Sequence, residues 1–268
     1  MSFQPFVSGT GLAGWTLLKS TLSTQKAAFN RNPQTLSNSR YFLEKFDTVN
    51  SAEDLVENRR LLRVVLGAYG LSEDINNIHF VKTLMKEGVD SRAALANKLS
   101  DQRYKALARD FDFSTTPPQH KLATGFAEEI VVRFQNNAFE IKIGENDQDM
   151  RLALEFSREF RKLSATSMSN AAGWYQVLAT PPIREVMQTA LGLPKAFAQL
   201  DIDDQHQRIK AKAENAFGTS SLSELSSEAL AEKITRQFLV MRDVGKTAES
   251  TPWQTALMLL QAIPQRSS

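Results

Sequence analysis

No cysteine occurs in the 268 residues, which removes disulfides, thiolate metal sites and cysteine nucleophiles together. Histidine is nearly as scarce. His79, His120 and His206 stand far apart, without a second histidine four residues on or carboxylates at ligand spacing, so no metal site is expected. The chain also lacks an excess of either charge: 32 basic against 30 acidic residues leave a net charge of +2. With its basic residues dispersed and only 3 Trp and 4 Tyr, nucleic acid is not an expected partner. Long apolar runs are missing as well. The most apolar C-terminal stretch, residues 256–263, falls far short of the roughly 20 residues that cross a bilayer. Residues 1–18 have no basic start, and Gln4, Ser8, Thr10 and Thr16 interrupt their apolar positions, so no signal peptide is read. A cytoplasmic chain without a membrane span is expected, with other routes of export left open.

What is present is globular: 42% hydrophobic and 23% charged residues can build a core, and the length suits one large core or two modest ones. Apolar positions recur at helical spacing nearly throughout. Trp15, Leu18, Leu22 and Phe29 predict an amphipathic helix over residues 12–29, with Thr10 as its N-cap and Asn32-Pro33 as its stop. Leu122, Phe126, Ile130, Phe134, Ala138 and Ile141 predict the longest helix, ending on Gly144 in a positive-φ turn. Ser51 and Asp54 have the spacing of a capping box for a helix through Leu55, Leu62 and Val65 that stops near Gly70. Ser72 is placed to start the next, which stops at Gly88, and Asn146 to cap one carrying Met150, Leu154, Phe156 and Phe160. Thr251-Pro252 predicts a last helix with proline at N1. Strand-like alternation occurs only over residues 138–143, too short and isolated for a sheet. The expected fold class is all-α, with about a dozen helices.

The same order of signals occurs twice. Residues 61–111 run through an apolar helix ending in Leu66-Gly67, a middle helix, then Leu99-Ser100-Asp101 opening a helix that ends at Phe111. Residues 186–238 run through a helix ending in Leu191-Gly192, a middle helix after Asp201, then Leu225-Ser226-Ser227 opening a helix that ends at Phe238. An offset of about 125 residues predicts two diverged copies of one helical unit, with Gly67 matching Gly192. Four segments follow: residues 1–46, a basic amphipathic N-terminal segment; 47–118, the first repeat; 119–168, central long helices; and 169–268, the second repeat with a C-terminal helix.

LGAYGL at residues 66–71, LANKLSDQRY at 95–104 and FDF at 111–113, with GLP at 192–194 and LDID at 200–203, form an ordered run of motifs. In these the chain resembles an uncharacterised alphaproteobacterial domain-of-unknown-function family, numbered twelve-seventeen, from about Tyr41 onward. It departs from the family pattern at Asn76-Asn77-Ile78-His79 in the middle helix. The resemblance implies that two copies of the region are common in the family and that its members are often encoded among flagellar genes. It implies no activity and no catalytic residue.

Several constellations invite chemistry and lack what it needs. Gly245-Lys246-Thr247 has the end of a phosphate loop, but the first glycine falls on Val240, inside a helical run with no strand before it; a helix-terminating turn is expected instead. Ser23 and Lys26 have serine-lysine spacing without any partner motif. Asp201, Asp203, Asp204 and Gln205 start like a calcium loop, yet His206 replaces the glycine and Lys212 the bidentate glutamate, so Asp201 is read as an N-cap. Glu140, Glu145, Asp147, Asp149 and Glu155 cluster around Gly144, which predicts a solvated turn with first-turn acids. In residues 1–46, Lys19, Lys26, Arg31, Arg40 and Lys45 face a single acid, Glu44. That helix is expected to cap the core with a solvated basic face.

No catalytic, cofactor-binding or metal-ligating residue is therefore assigned, and no cofactor is expected. The function read from the sequence is a noncatalytic structural or protein-interaction protein, with the resemblance suggesting a flagellum-associated accessory and a flagellar component as its partner. The alternative is a small-molecule-binding or catalytic protein using a cleft between the two helical copies. Oligomeric state is not read from the sequence.

Overall fold

A computed structural model describes residues 3–114, 118, 123–164 and 168–249. The described residues are all-α: α1 (Gly11–Asn30), α2 (Pro33–Lys45), α3 (Ala52–Glu57), α4 (Arg59–Ala68), α5 (Ile78–Glu87), α6 (Leu95–Lys98), α7 (Gln102–Asp110), α8 (Phe126–Gly144), α9 (Gln148–Ser164), α10 (Asn170–Ala179), α11 (Pro181–Ala190), α12 (Ile202–Phe217), α13 (Leu222–Leu225) and α14 (Glu228–Glu249). No strand occurs among them. None of these helices is long and apolar enough to cross a membrane. His120, Leu122 and the helix expected from Thr251-Pro252 lie outside the described residues.

Local chemistry sets most helix ends. The capping box at Ser51 forms: its Oγ accepts from the Asp54 N–H at 3.1 Å while Asp54 accepts from the Ser51 N–H at 3.0 Å. The continuous helix expected beyond it is cut at Asn58, whose carbonyl oxygen caps α4 by accepting from the Arg60 and Leu61 N–H groups. Asp147, rather than Asn146, caps α9 through the N–H groups of Asp149 and Met150. Ser72 begins a 3-10 turn, not an α-helix. Residues 138–143, the only strand-like alternation, lie within α8. The longest described helix is α14, with 22 residues against 19 in α8. It passes straight through Gly245 and Lys246, where a turn was expected, because one glycine costs a helix only about 1 kcal/mol.

Two large apolar clusters result, and α8 belongs to both. Ile130, Val131 and Phe134 from its first half join Phe42, Phe46, Leu62, Leu66, Val81 and Phe111 in the first core. Phe139 and Ile143 from its second half join Trp15, Phe29, Phe156, Phe160, Trp174, Met187 and Phe238 in the second. The N-terminal pair divides in the same way: α2 packs on α4, whereas α1 packs on α14. Trp15, Leu18 and Phe29 are buried, so α1 covers the second core with its apolar face.

The order helix, 3-10 turn, helix, four-residue helix, helix is found in two stretches, from α4 to α7 and from α11 to α14. Two features separate them. The last helix packs on α5 and α6 in the first stretch but on α11 and α9 in the second. The glycine register also differs from expectation. Gly192 (φ +63°) corresponds to Gly70 (φ +69°), since each ends its helix in a left-handed turn closed by a bond five residues back, Leu193 N–H to Gln188 O and Leu71 N–H to Leu66 O. Gly67 is an ordinary helical residue whose missing side chain admits Phe134: a Cβ there would stand 2.7 Å from the ring. Gly67→Ala should thus destabilise by overpacking, about 1–3 kcal/mol. Gly192→Ala should cost about 1–2 kcal/mol from its left-handed backbone alone. Urea unfolding of the two variants measures both, and an unchanged midpoint for Gly67→Ala would show that α8 does not approach α4 so closely.

Candidate functional site

The polar residues of greatest interest lie where α8 passes from one core to the other. Asn137 and Glu140, one turn apart on α8, are buried at 9% and 2% exposure. The Asn137 amide donates to the carbonyls of Gly67 (2.9 Å) and Ala68 (2.8 Å), satisfying the end of α4. Its own carbonyl accepts from Arg158 of α9. Arg158 also forks onto Glu140, Nε to Oε1 at 2.9 Å and Nη2 to Oε2 at 2.8 Å, and its remaining nitrogen donates to Glu159. Burial pulls the Arg158 guanidinium down, but the hydrogen bonds and charge of Glu140 outweigh it and hold Arg158 above its ordinary range. From α1, Lys26 donates to Asn136 at 2.8 Å, and burial lowers its ammonium below the usual lysine value.

Three clefts open beside this junction, one of about 350 Å³ lined by Trp15, Lys26, Asn136 and Arg158, and two that share residues near α7. The larger of these two, about 350 Å³, is lined by Gly70, Ser72 and Asp74 of the first stretch, Arg103 and Tyr104 of α7, and Asn137, Glu140, Arg151 and Glu155 of the central helices. A smaller one of about 130 Å³ shares Gly70, Arg103, Asn137 and Glu155 and reaches Thr180 and Pro182. Most lining groups are held. Arg103 grips Asp101 and donates to the Gly70 carbonyl at 2.7 Å. The Tyr104 hydroxyl donates to Asp74 at 2.8 Å, and burial followed by that bond pushes its pKa up to about 12. Glu155 differs: burial, and then the charge of Glu140, hold its carboxyl above the ordinary glutamate value.

The expected solvated turn with first-turn acids is found at Glu145, Asp147 and Asp149, but not at Glu140. Glu140 is inside the junction, Asp149 pairs with Arg242 (3.1 Å) and Lys246 (2.7 Å), Glu145 pairs with Lys142, and Asp147 is a cap. Gly144 has no positive φ; it is the last residue of α8, and a Cβ on it would meet the Arg151 side chain at 2.6 Å. Ser23 and Lys26 are not assembled as a pair, because Ser23 is exposed and Lys26 turns to Asn136. The basic face of α1 is only partly solvated, since Lys19 also pairs with Glu232 at 2.9 Å. Asp201 caps α12 through the Asp203 N–H at 2.9 Å. His79 is exposed, while His206 stacks on Tyr175 at 4.6 Å between ring centroids. No group of three His, Asp or Glu residues able to hold a metal ion occurs among the described residues.

Sequence reasoning missed Asn137, Arg103, Arg151 and Arg158. The available signal was local: Asn137 and Glu140 fall at i and i+3 inside the apolar face of α8, where unpaired polar groups cost too much to persist.

Two outcomes follow from the electrostatics. Arg158→Met leaves Glu140 buried without its cation and should cost about 3–5 kcal/mol, whereas adding Glu140→Gln should recover part of the loss; chemical denaturation of both variants tests this coupling. For Glu155, the folded pKa lies above the unfolded one, so the native state holds its proton more tightly and stability falls as pH rises between the two values. Glu155→Gln removes that loss. Its melting temperature should exceed the parent's at pH 7, and the difference should vanish below the ordinary value of 4.5.

A family model described as Protein of unknown function (DUF1217) matches residues 68–231, a stretch that contains every lining residue of the larger cleft. No curated protein matches the chain. Among solved structures, the chain is similar to the X-ray crystal structure of protein AGR_C_984 from Agrobacterium tumefaciens, with 23% identity and a TM-score of 0.71 over 90% of this chain and 96% of that one. At that identity the likeness shows a shared fold.

Proposed function

The chain belongs to the family described as Protein of unknown function (DUF1217), and we propose that it acts as a noncatalytic structural or protein-interaction protein. The observation that carries this reading is a helix apolar on two faces. Along α14, Ile234, Phe238 and Leu239 are buried in the second core. On its outer side Val240, Met241 and Val244 are 42%, 37% and 57% exposed. Val240 and Val244 are one turn apart, which is the spacing at which a helix presents apolar anchors to another protein. Support also comes from the junction, where Glu140, Arg158 and Asn137 are occupied with one another rather than with an open reaction centre.

The family resemblance supports a finer form of the reading, a flagellum-associated accessory. The recurring order of elements supports taking the stretches from α4 and from α11 as diverged copies of one unit. That duplication fails if superposing α4 on α11 leaves α5 and α12 running in different directions.

Val240→Asp with Val244→Asp should leave the melting temperature nearly unchanged, because surface substitutions usually stay within about 0.5 kcal/mol. The double variant should nonetheless reproduce whatever motility or assembly defect follows gene deletion. Substitutions at Lys246, His206 or Ser23 that preserve folding should not. A selective defect at one of these three, with stability intact, would favour an enzyme, and a normal phenotype in the deletion would remove the flagellar reading.

A further inference from the structure

The charged groups lining the larger junction cleft divide into those with partners and three without, of which one, Glu73, is exposed. Asp74 holds Tyr104, Arg103 holds Asp101 and the Gly70 carbonyl, and Glu140 holds Arg158. Arg151 and Glu155 sit one turn apart on α9, both facing the cleft, and neither side chain makes a hydrogen bond or ion pair among the described residues. The Arg151 Nε is fully buried and unpartnered. Leaving such a donor unsatisfied costs about 1–3 kcal/mol, and more for a charged group.

The two do not close on each other, and the helix gives a reason. An arginine four residues before a glutamate has the less favourable orientation for an intrahelical pair, because each charge then opposes the helix dipole. Gly144 maintains the arrangement from α8: a side chain there would collide with Arg151, so the glycine leaves the arginine room beside the cleft. A cation and an anion that attract each other only at longer range, neither held by a hydrogen bond or close ion pair, thus face one cavity of about 350 Å³, near the lower end of the size range of small-molecule sites.

We propose that this cleft binds a small zwitterion of amino-acid size, its ammonium on the Glu155 carboxylate and its carboxylate on the Arg151 guanidinium. A ligand with positive charge alone would leave the Arg151 guanidinium without a counter-charge. One with negative charge alone would lie beside Glu73, Asp74, Glu140 and Glu155, all of which line the same cavity. A molecule carrying both charges satisfies both unpaired groups, and the side chain of an amino acid has the Ile141 and Leu71 surfaces to rest on. The proposal is independent of the outer face of α14.

The test is calorimetric titration of the full chain with the standard amino acids singly, with putrescine as a cation lacking carboxylate and succinate as an anion lacking ammonium. At least one amino acid should bind saturably, and putrescine and succinate should not compete with it. Glu155→Gln and Arg151→Met should each weaken that binding about tenfold or more, the value of one charge-assisted hydrogen bond. Glu155→Gln is expected to be the more stable protein at neutral pH, so its loss of binding cannot be a loss of fold; Gly144→Ala, which crowds Arg151, gives a third reading if Arg151→Met folds poorly. Absence of binding by every amino acid overturns the proposal. So does binding that Glu155→Gln leaves intact, or equal binding by putrescine or succinate.

Discussion

The contact between α8 and α9 through Arg158, Glu140 and Asn137 is the constraint on which the rest of the molecule turns. Asn137 is hydrogen-bonded to the end of α4 on one side and to Arg158 on the other, so a single amide ties the first core to the second. Buried ion pairs rarely add net stability, because taking both charges out of water costs as much as their attraction returns. What this one does is fix geometry. Apolar contacts between α8 and α9 tolerate sliding along the helix, whereas a forked arginine on a carboxylate accepts one register.

That junction also explains how one helix serves two cores. The apolar residues of α8 from Ile130 to Phe134 join the first cluster and Phe139 and Ile143 the second, with Asn137 between the two sets and Glu140 one turn beyond it. Clefts form there because charged side chains that grip one another cannot pack as densely as interlocking aliphatic groups. The cavity is a by-product of the joint before it is anything else, and the buried, unpaired Arg151 nitrogen beside it is what distinguishes it from a packing defect.

The all-α class was legible because helical spacing and capping are local: Ser51 and Asp54, Asp201 and Gly88 act where the sequence places them, and Thr10 holds the N-cap position without a side-chain bond. Positions whose role depends on a distant neighbour were not. Gly67 and Gly144 read as helix stops, yet each is a glycine because a side chain from another part of the chain occupies its space. Glu140 read as part of a solvated acidic turn because Arg158, eighteen residues away on the next helix, cannot be assigned to it by spacing. Lys246 read as a turn residue, although a lone glycine before it does not outweigh the packing of the rest of α14.

The placement of α1 has a consequence in time. Its Trp15 indole donates to Glu232 at 3.0 Å, across 217 positions of sequence, and Lys19 pairs with the same carboxylate. Contacts so distant along the chain form late, since a long loop must close before they repay its entropy. During synthesis the first core can assemble from α2 to α8 while α1 meets only part of its final surroundings, through Phe29 and Phe139 of α8. The Trp15 end of α1 stays uncovered until α14 has been made. A helix made before α2 to α14 is therefore among the last of them to find its place.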